Sequence, residues 1–168
     1  DVEAAYASAL RNGSVYSVNN GKNSYSGRAH MDGMVFRGYV PQNGVTGGWG
    51  GEEFNFSWSM EGSGTDFAIA SMAKYLRDKA TPGSEAWQKY NDEYLYFTAR
   101  ATNYVHLFNE SMGGWFRAKK SDGTWLQTDE QFDPTAQGYG YCEDNAYNYA
   151  FPPYDGQGLA NLYGMARD

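Results

Sequence analysis

Residues 138–155, GYGYCEDNAYNYAFPPYD, place two adjacent carboxylates, Glu143 and Asp144, among Tyr139, Tyr141, Tyr147, Tyr149 and Phe151. Aromatic walls strip water from a carboxyl, which disfavours its charged form and raises its pKa. A glutamic acid kept protonated in this way can serve as a general acid near neutral pH. A second reading stays open: at a helix N-terminus, acidic residues simply complement the helix dipole. Adjacent helical residues also point about 100° apart, so the two carboxyls need not share one site.

A second carboxylate pair lies in SWSMEGSGTDF, residues 57–67. Asp66 falls where a first helical turn is expected, and dipole complementation accounts for it. Glu61, in a Gly- and Ser-rich stretch after Trp58, has no such explanation and is the stronger functional candidate. His30 and His106 are isolated in sequence, and neither has a partner at metal-ligand spacing. The chain contains no GxSxG, P-loop or dinucleotide fingerprint.

The elements that must hold these residues are mostly helical. EAAYASAL, residues 3–10, reads as a short helix closed by Asn12-Gly13. Residues 12–51 read as ordered loop with short strands, MVFRGYVP among the extended stretches. From Thr65, apolar residues at 69, 72, 73 and 76 predict a helix to about Lys79. Tyr94, Phe97, Ala101, Tyr104 and Phe108 form the stripe of a second helix, from as early as Glu85 to near Asn109. GWFRAKKSDGTWLQ is a hairpin turning at Ser121-Asp122-Gly123. EDNAYNYAF suits a short helix, and Asp155 caps a last one near GQGLANLYG. The expectation is one domain over 1–168, loop-rich at 12–51 and helix, hairpin, helix over 65–168. It is mainly α, with antiparallel helical hairpins.

Composition narrows the function. Of 168 residues, 41 % are hydrophobic and 20 % charged, which is a folded chain. Thirteen basic against twenty acidic residues give a net charge of −7, unsuited to nucleic acid. The cluster Arg117, Lys119 and Lys120 is followed by Asp122 and reads as a solvated hairpin tip. A single cysteine allows no internal disulfide and no thiolate metal site. No apolar run approaches the ~20 residues that cross a membrane. The chain starts at Asp1 with no visible signal peptide, as expected of a processed, engineered or fragmentary polypeptide. Aromatics reach 17 %, beside 21 glycines, a mixture that suits sugar rings as well as a packed core. A non-catalytic sugar-binding module, stacking glycans on Trp49, Trp58, Trp115 and Trp125, or a purely structural helical domain, is the alternative to an enzyme.

Several segments taken in order resemble glycoside hydrolase family 92, the calcium-dependent exo-α-mannosidases. They are GYVP at 38–41, SMEGSGTDFAIASMAK at 59–74 and RATNYVHLFN at 100–109. GWFRAKKSDGTW at 114–125, FDP at 132–134 and EDNAYNYAFPPYDGQGL at 143–159 follow. The likeness covers roughly residues 34–164. It implies part of an (α/α)6 toroid with a short β-hairpin and Gly-rich loops. It also implies hydrolysis of terminal α-mannosides with inversion. Inverting enzymes keep acid and base about 6.5–9.5 Å apart to admit a water. By the same match Glu143 is the general acid, and Glu61 and Asp66 lie near the pocket or support it; Trp58, Asn145 and Tyr149 join Glu61 as the expected substrate-binding residues. Asp144 stands where the family has Gly, Gly62-Ser63-Gly64 where it has bulkier residues, and Tyr154 where it has His. The family's later motifs, which carry the general base and much of the calcium site, have no counterpart in these 168 residues. No metal ligand is therefore assigned here, Ca2+ is expected of the complete enzyme, and this chain alone is expected to be incomplete. The apolar face of half a toroid is expected to meet another copy or the remainder of the parent polypeptide. A glycan substrate implies a secreted or periplasmic setting.

Overall fold

The computed structural model describes residues 1–15, 18–19, 25–28, 30–43, 54–142, 144–149 and 152–164. The fold is mainly α. Helix α1 spans Val2–Ser14, capped by the Asp1 carboxylate, which accepts from the Glu3 and Ala4 N–H groups. It runs through Asn12-Gly13 rather than stopping there. Gly13 instead allows close approach, since a Cβ would stand 2.5 Å from Ile69 Cδ1 and 3.0 Å from Phe97 Cε1. Strands β1 (Val18–Asn19) and β2 (Tyr25–Ser26) pair antiparallel. MVFRGYVP is not extended at its start: Gly33–Arg37 forms a π-helical turn, ended by Gly38 in the left-handed region.

The largest correction concerns the central helix. α2 spans Asn55–Lys79, beginning ten residues before the expected Thr65. Ser and Gly are weak helix formers, yet here the hydroxyls bond back to the preceding turn. Ser59 donates to Asn55 O, Ser63 to Ser59 O and Thr65 to Glu61 O. Gly62 faces Met34, whose Cε leaves no room for an added Cβ. Tertiary packing thus selects the residues that propensity disfavours. Glu61 consequently sits on a helix, not in a loop.

α3 spans Glu85–Ala101 behind a Ser84 cap and so ends short of the expected Asn109; the stripe continues through a 3-10 turn, Asn103–Leu107, and Phe108 begins a strand. α2 and α3 form an antiparallel hairpin. Arg77 meets Asn91 and the Tyr94 ring near their junction, while Asp66 meets Arg100 at the far end. One core joins the C-terminal half of α2 to its neighbours through Tyr6, Ile69, Ala73, Leu76 and Phe97. The other packs Phe56 and Met60, from the early turns of α2, against Tyr104, Leu107, Phe116, Phe132 and Tyr141.

Strands β3 (Phe108–Asn109) and β4 (Trp115–Phe116) pair antiparallel, and the chain then turns at 121–123 as expected, Lys119 pairing with Trp125. The basic residues before this turn are not a solvated tip. Arg117 is fully buried, bonded to Asp129 Oδ1 at 2.7 Å and Gln127 O at 2.7 Å, with Phe132 4.2 Å beneath its guanidinium. Lys119 lies 4.3 Å over the Trp125 ring. Ala146–Asn148 is a single 3-10 turn, and α4 (Gly156–Leu162) carries the expected Asp155 cap.

Candidate active site

Asp66 does not complement a helix N-terminus. It lies mid-helix and is completely buried, with Arg28 Nη1 at 2.6 Å and Arg100 Nε and Nη2 at 2.9 and 3.1 Å. Burial pushes its carboxyl above the ordinary range, and the two guanidiniums oppose that push. Arg100 also donates to Gly13 O at 2.8 Å, which ties α1 to the hairpin. Asp66 is therefore an internal anchor for three segments.

The early turns of α2 build a concavity. Phe54, Ser57, Trp58 and Glu61 recur at helical spacing along one side and, with Cys142, enclose a pocket of about 200 Å³. Two residues inferred for substrate binding, Trp58 and Glu61, thus share one cavity. Tyr149, the third, joins them through Ser57, to which its hydroxyl is hydrogen-bonded. Its ring packs edge-on against Phe56, centroids 4.9 Å apart. Burial raises the Tyr149 pKa, the Ser57 bond opposes that rise, and the charges of Glu61, Asp144 and Cys142 add to it. Those acidic groups and the phenol therefore sit near one another.

The fourth, Asn145, holds its own turn. Its Oδ1 accepts the Asn148 N–H at 3.2 Å, and its backbone N–H donates to Asp144 Oδ1 at 2.9 Å. Asp144 also accepts from Asn148 Nδ2 at 3.0 Å, so this carboxylate organises the turn. Glu143 lies outside the described residues, as do Trp49 and Phe151. Of the other proposed stacking residues, Trp115 donates to Met112 O and packs on Phe132, and Trp125 lies under Lys119. Tyr154 stacks on Phe67 at 4.6 Å and donates to Ala101 O, joining the segment before α4 to the hairpin.

The segment before position 143 is clamped on α2. Ser57 N–H donates to Gly140 O at 3.1 Å, and Cys142 N–H donates to Ser57 Oγ at 2.9 Å. Sequence reading missed Ser57 because its helix was placed too late. Gly140 has φ +89°, and a Cβ there would stand 3.0 Å from Phe56 Cβ and 3.1 Å from Phe56 N. Gly140→Ala is expected to cost about 1–2 kcal/mol from the left-handed backbone alone, lowering the midpoint of thermal unfolding by about 2–8 °C. An unchanged midpoint would show that the clamp yields.

Among the described residues no three His, Cys, Asp or Glu side chains gather to hold a metal ion, and no helix is long and apolar enough to cross a membrane.

No curated protein matches the chain. The sequence model of the glycosyl hydrolase family 92 catalytic domain matches residues 1–168, the whole of it. That match takes in residues 12–51 as well as the motifs that follow. The chain accordingly belongs to glycosyl hydrolase family 92, as a glycoside hydrolase domain whose substrates are glycans.

Proposed function

We propose that this domain cleaves terminal α-mannosides with inversion and that Glu143 is its general acid. The observation that carries the reading is the match of the entire chain to the family 92 catalytic domain. The ordered motifs, with a Glu opening EDNAYNYAF, supply the residue assignment. Further support comes from the pocket, because α2 presents Trp58 and Glu61 beside Cys142, the residue preceding Glu143. In the proposed step the Glu143 carboxyl gives its proton to the glycosidic oxygen as the bond from that oxygen to C1 breaks. Water, losing a proton to a carboxylate base, adds to C1 from the opposite face, and a mannose of inverted configuration departs. Trp58 offers its face to the C–H side of the sugar, and Glu61 accepts from hydroxyls. The Tyr149 hydroxyl and the Asn145 amide nitrogen complete the polar contacts.

The base and most of the calcium ligands are assigned to residues outside these 168, and no step is routed through the ion. The setting of such an enzyme would be secreted or periplasmic. The test is proton NMR of methyl α-mannoside hydrolysis by the polypeptide carrying the complete catalytic domain. The first-formed sugar is expected to be β-mannose; α-mannose first would refute inversion, and no release from any α-mannoside would refute the substrate. The 168-residue chain alone is expected to release none, and robust turnover by it would mean that another residue here is the base.

A further inference from the structure

We propose that Ser57 is a positioning residue for the proton transfer, an inference that rests on Glu143 being the acid. Ser57 is buried in the first turn of α2 and makes three bonds to one short segment. Its backbone N–H, one of the donors that a helix start leaves without an intrahelical partner, is taken by Gly140 O. Its Oγ accepts from Cys142 N–H and is hydrogen-bonded to the Tyr149 hydroxyl. The segment is thus fixed at 140, 142 and 149, on both sides of Glu143, by one side chain and its own amide. Packing supports the same register: Phe56, the preceding residue, lies against the Tyr141 and Tyr149 rings at 4.5 and 4.9 Å.

Ser57 also lines the pocket shared by Trp58 and Glu61. The hydroxyl therefore couples the surface that would receive the sugar to the chain that would protonate it. Removing it leaves the Cys142 N–H without its acceptor and takes one hydrogen-bond partner from the Tyr149 hydroxyl. The acid is then held less closely against the leaving oxygen, and misplacement by about 1 Å can cost ~10²-fold in rate.

A leaving group that departs without a proton does not need the acid, so substrate choice separates positioning from general damage. In the polypeptide carrying the complete catalytic domain, Ser57→Ala is expected to lower kcat for methyl α-mannoside by about 10–10²-fold. Turnover of 2,4-dinitrophenyl α-mannoside is expected to fall clearly less, because that substrate shares any loss of sugar contacts but does not need the proton. Ser57→Thr keeps the hydroxyl, has the pocket to receive its methyl group, and is expected to restore methyl mannoside turnover. Equal loss on both substrates, no loss on either, or no rescue by Thr would overturn the proposal. Glu143→Gln, assayed alongside, separates the two assignments. If it shows no difference between the substrates, the acid itself is misassigned. If it does and Ser57→Ala does not, only the role of Ser57 falls.

Discussion

Glu143→Gln is expected to lower kcat for an unactivated α-mannoside by about 10²–10⁴-fold, the usual contribution of a positioned general acid. Gln keeps the size and a hydrogen-bond donor but has no proton to release. The alkaline limb of the kcat–pH profile reports the acid in the enzyme–substrate complex and should vanish with it. KM should change little, because the acid acts on the leaving oxygen as the bond breaks rather than on the bound ring. Asp144→Asn is the internal control. That carboxylate already accepts from the Asn145 N–H and Asn148 Nδ2, so its loss should loosen the turn and leave the alkaline limb in place. If the alkaline limb survives in Glu143→Gln and disappears in Asp144→Asn, the two roles are exchanged.

Asp66→Asn should have the largest effect on stability. The carboxylate is completely buried between Arg28 and Arg100, and neither guanidinium has another anion among the described residues. Removing one partner from a buried ionic cluster leaves uncompensated charge and costs about 3–5 kcal/mol. Native domains have only about 5–15 kcal/mol in hand, so much of the folded population is at stake. The damage would spread beyond α2, because Arg100 also holds the end of α1 through Gly13 O. Urea unfolding of the two proteins measures the difference. A change below about 1 kcal/mol would place the cluster among exposed pairs of little worth.

Local signals carried much of this fold. The Asp155 cap, the Ser121-Asp122-Gly123 turn and the helical start of the stripe from Tyr94 are properties of a few neighbouring residues, and each marks what the structure contains. The first ten residues of α2 were illegible for the opposite reason. Ser57, Ser59, Gly62, Ser63 and Gly64 argue for a loop by propensity. They are helical because hydroxyls bond back one turn, Gly62 admits Met34, and Phe56 and Met60 anchor a core supplied from residues 104–146. Nothing near them in sequence announces those partners. The same displacement misplaced Asp66 and concealed Ser57. Arg117 and Arg100 look like surface charges until the carbonyls, carboxylates and rings around them are known. Residue types drew attention to Trp58 and Glu61, but the helical spacing that puts them in one pocket came only with the longer α2.

The most direct measurement follows hydrolysis of a series of aryl α-mannosides whose phenols span a wide range of acidity, by wild type and by Glu143→Gln. With the acid in place, kcat/KM should depend weakly on the phenol, since protonation assists every departure. Without it the dependence should steepen, so that poor leaving groups lose most of their rate and the best lose little. Parallel dependences in the two proteins would contradict the assignment of proton donation to position 143.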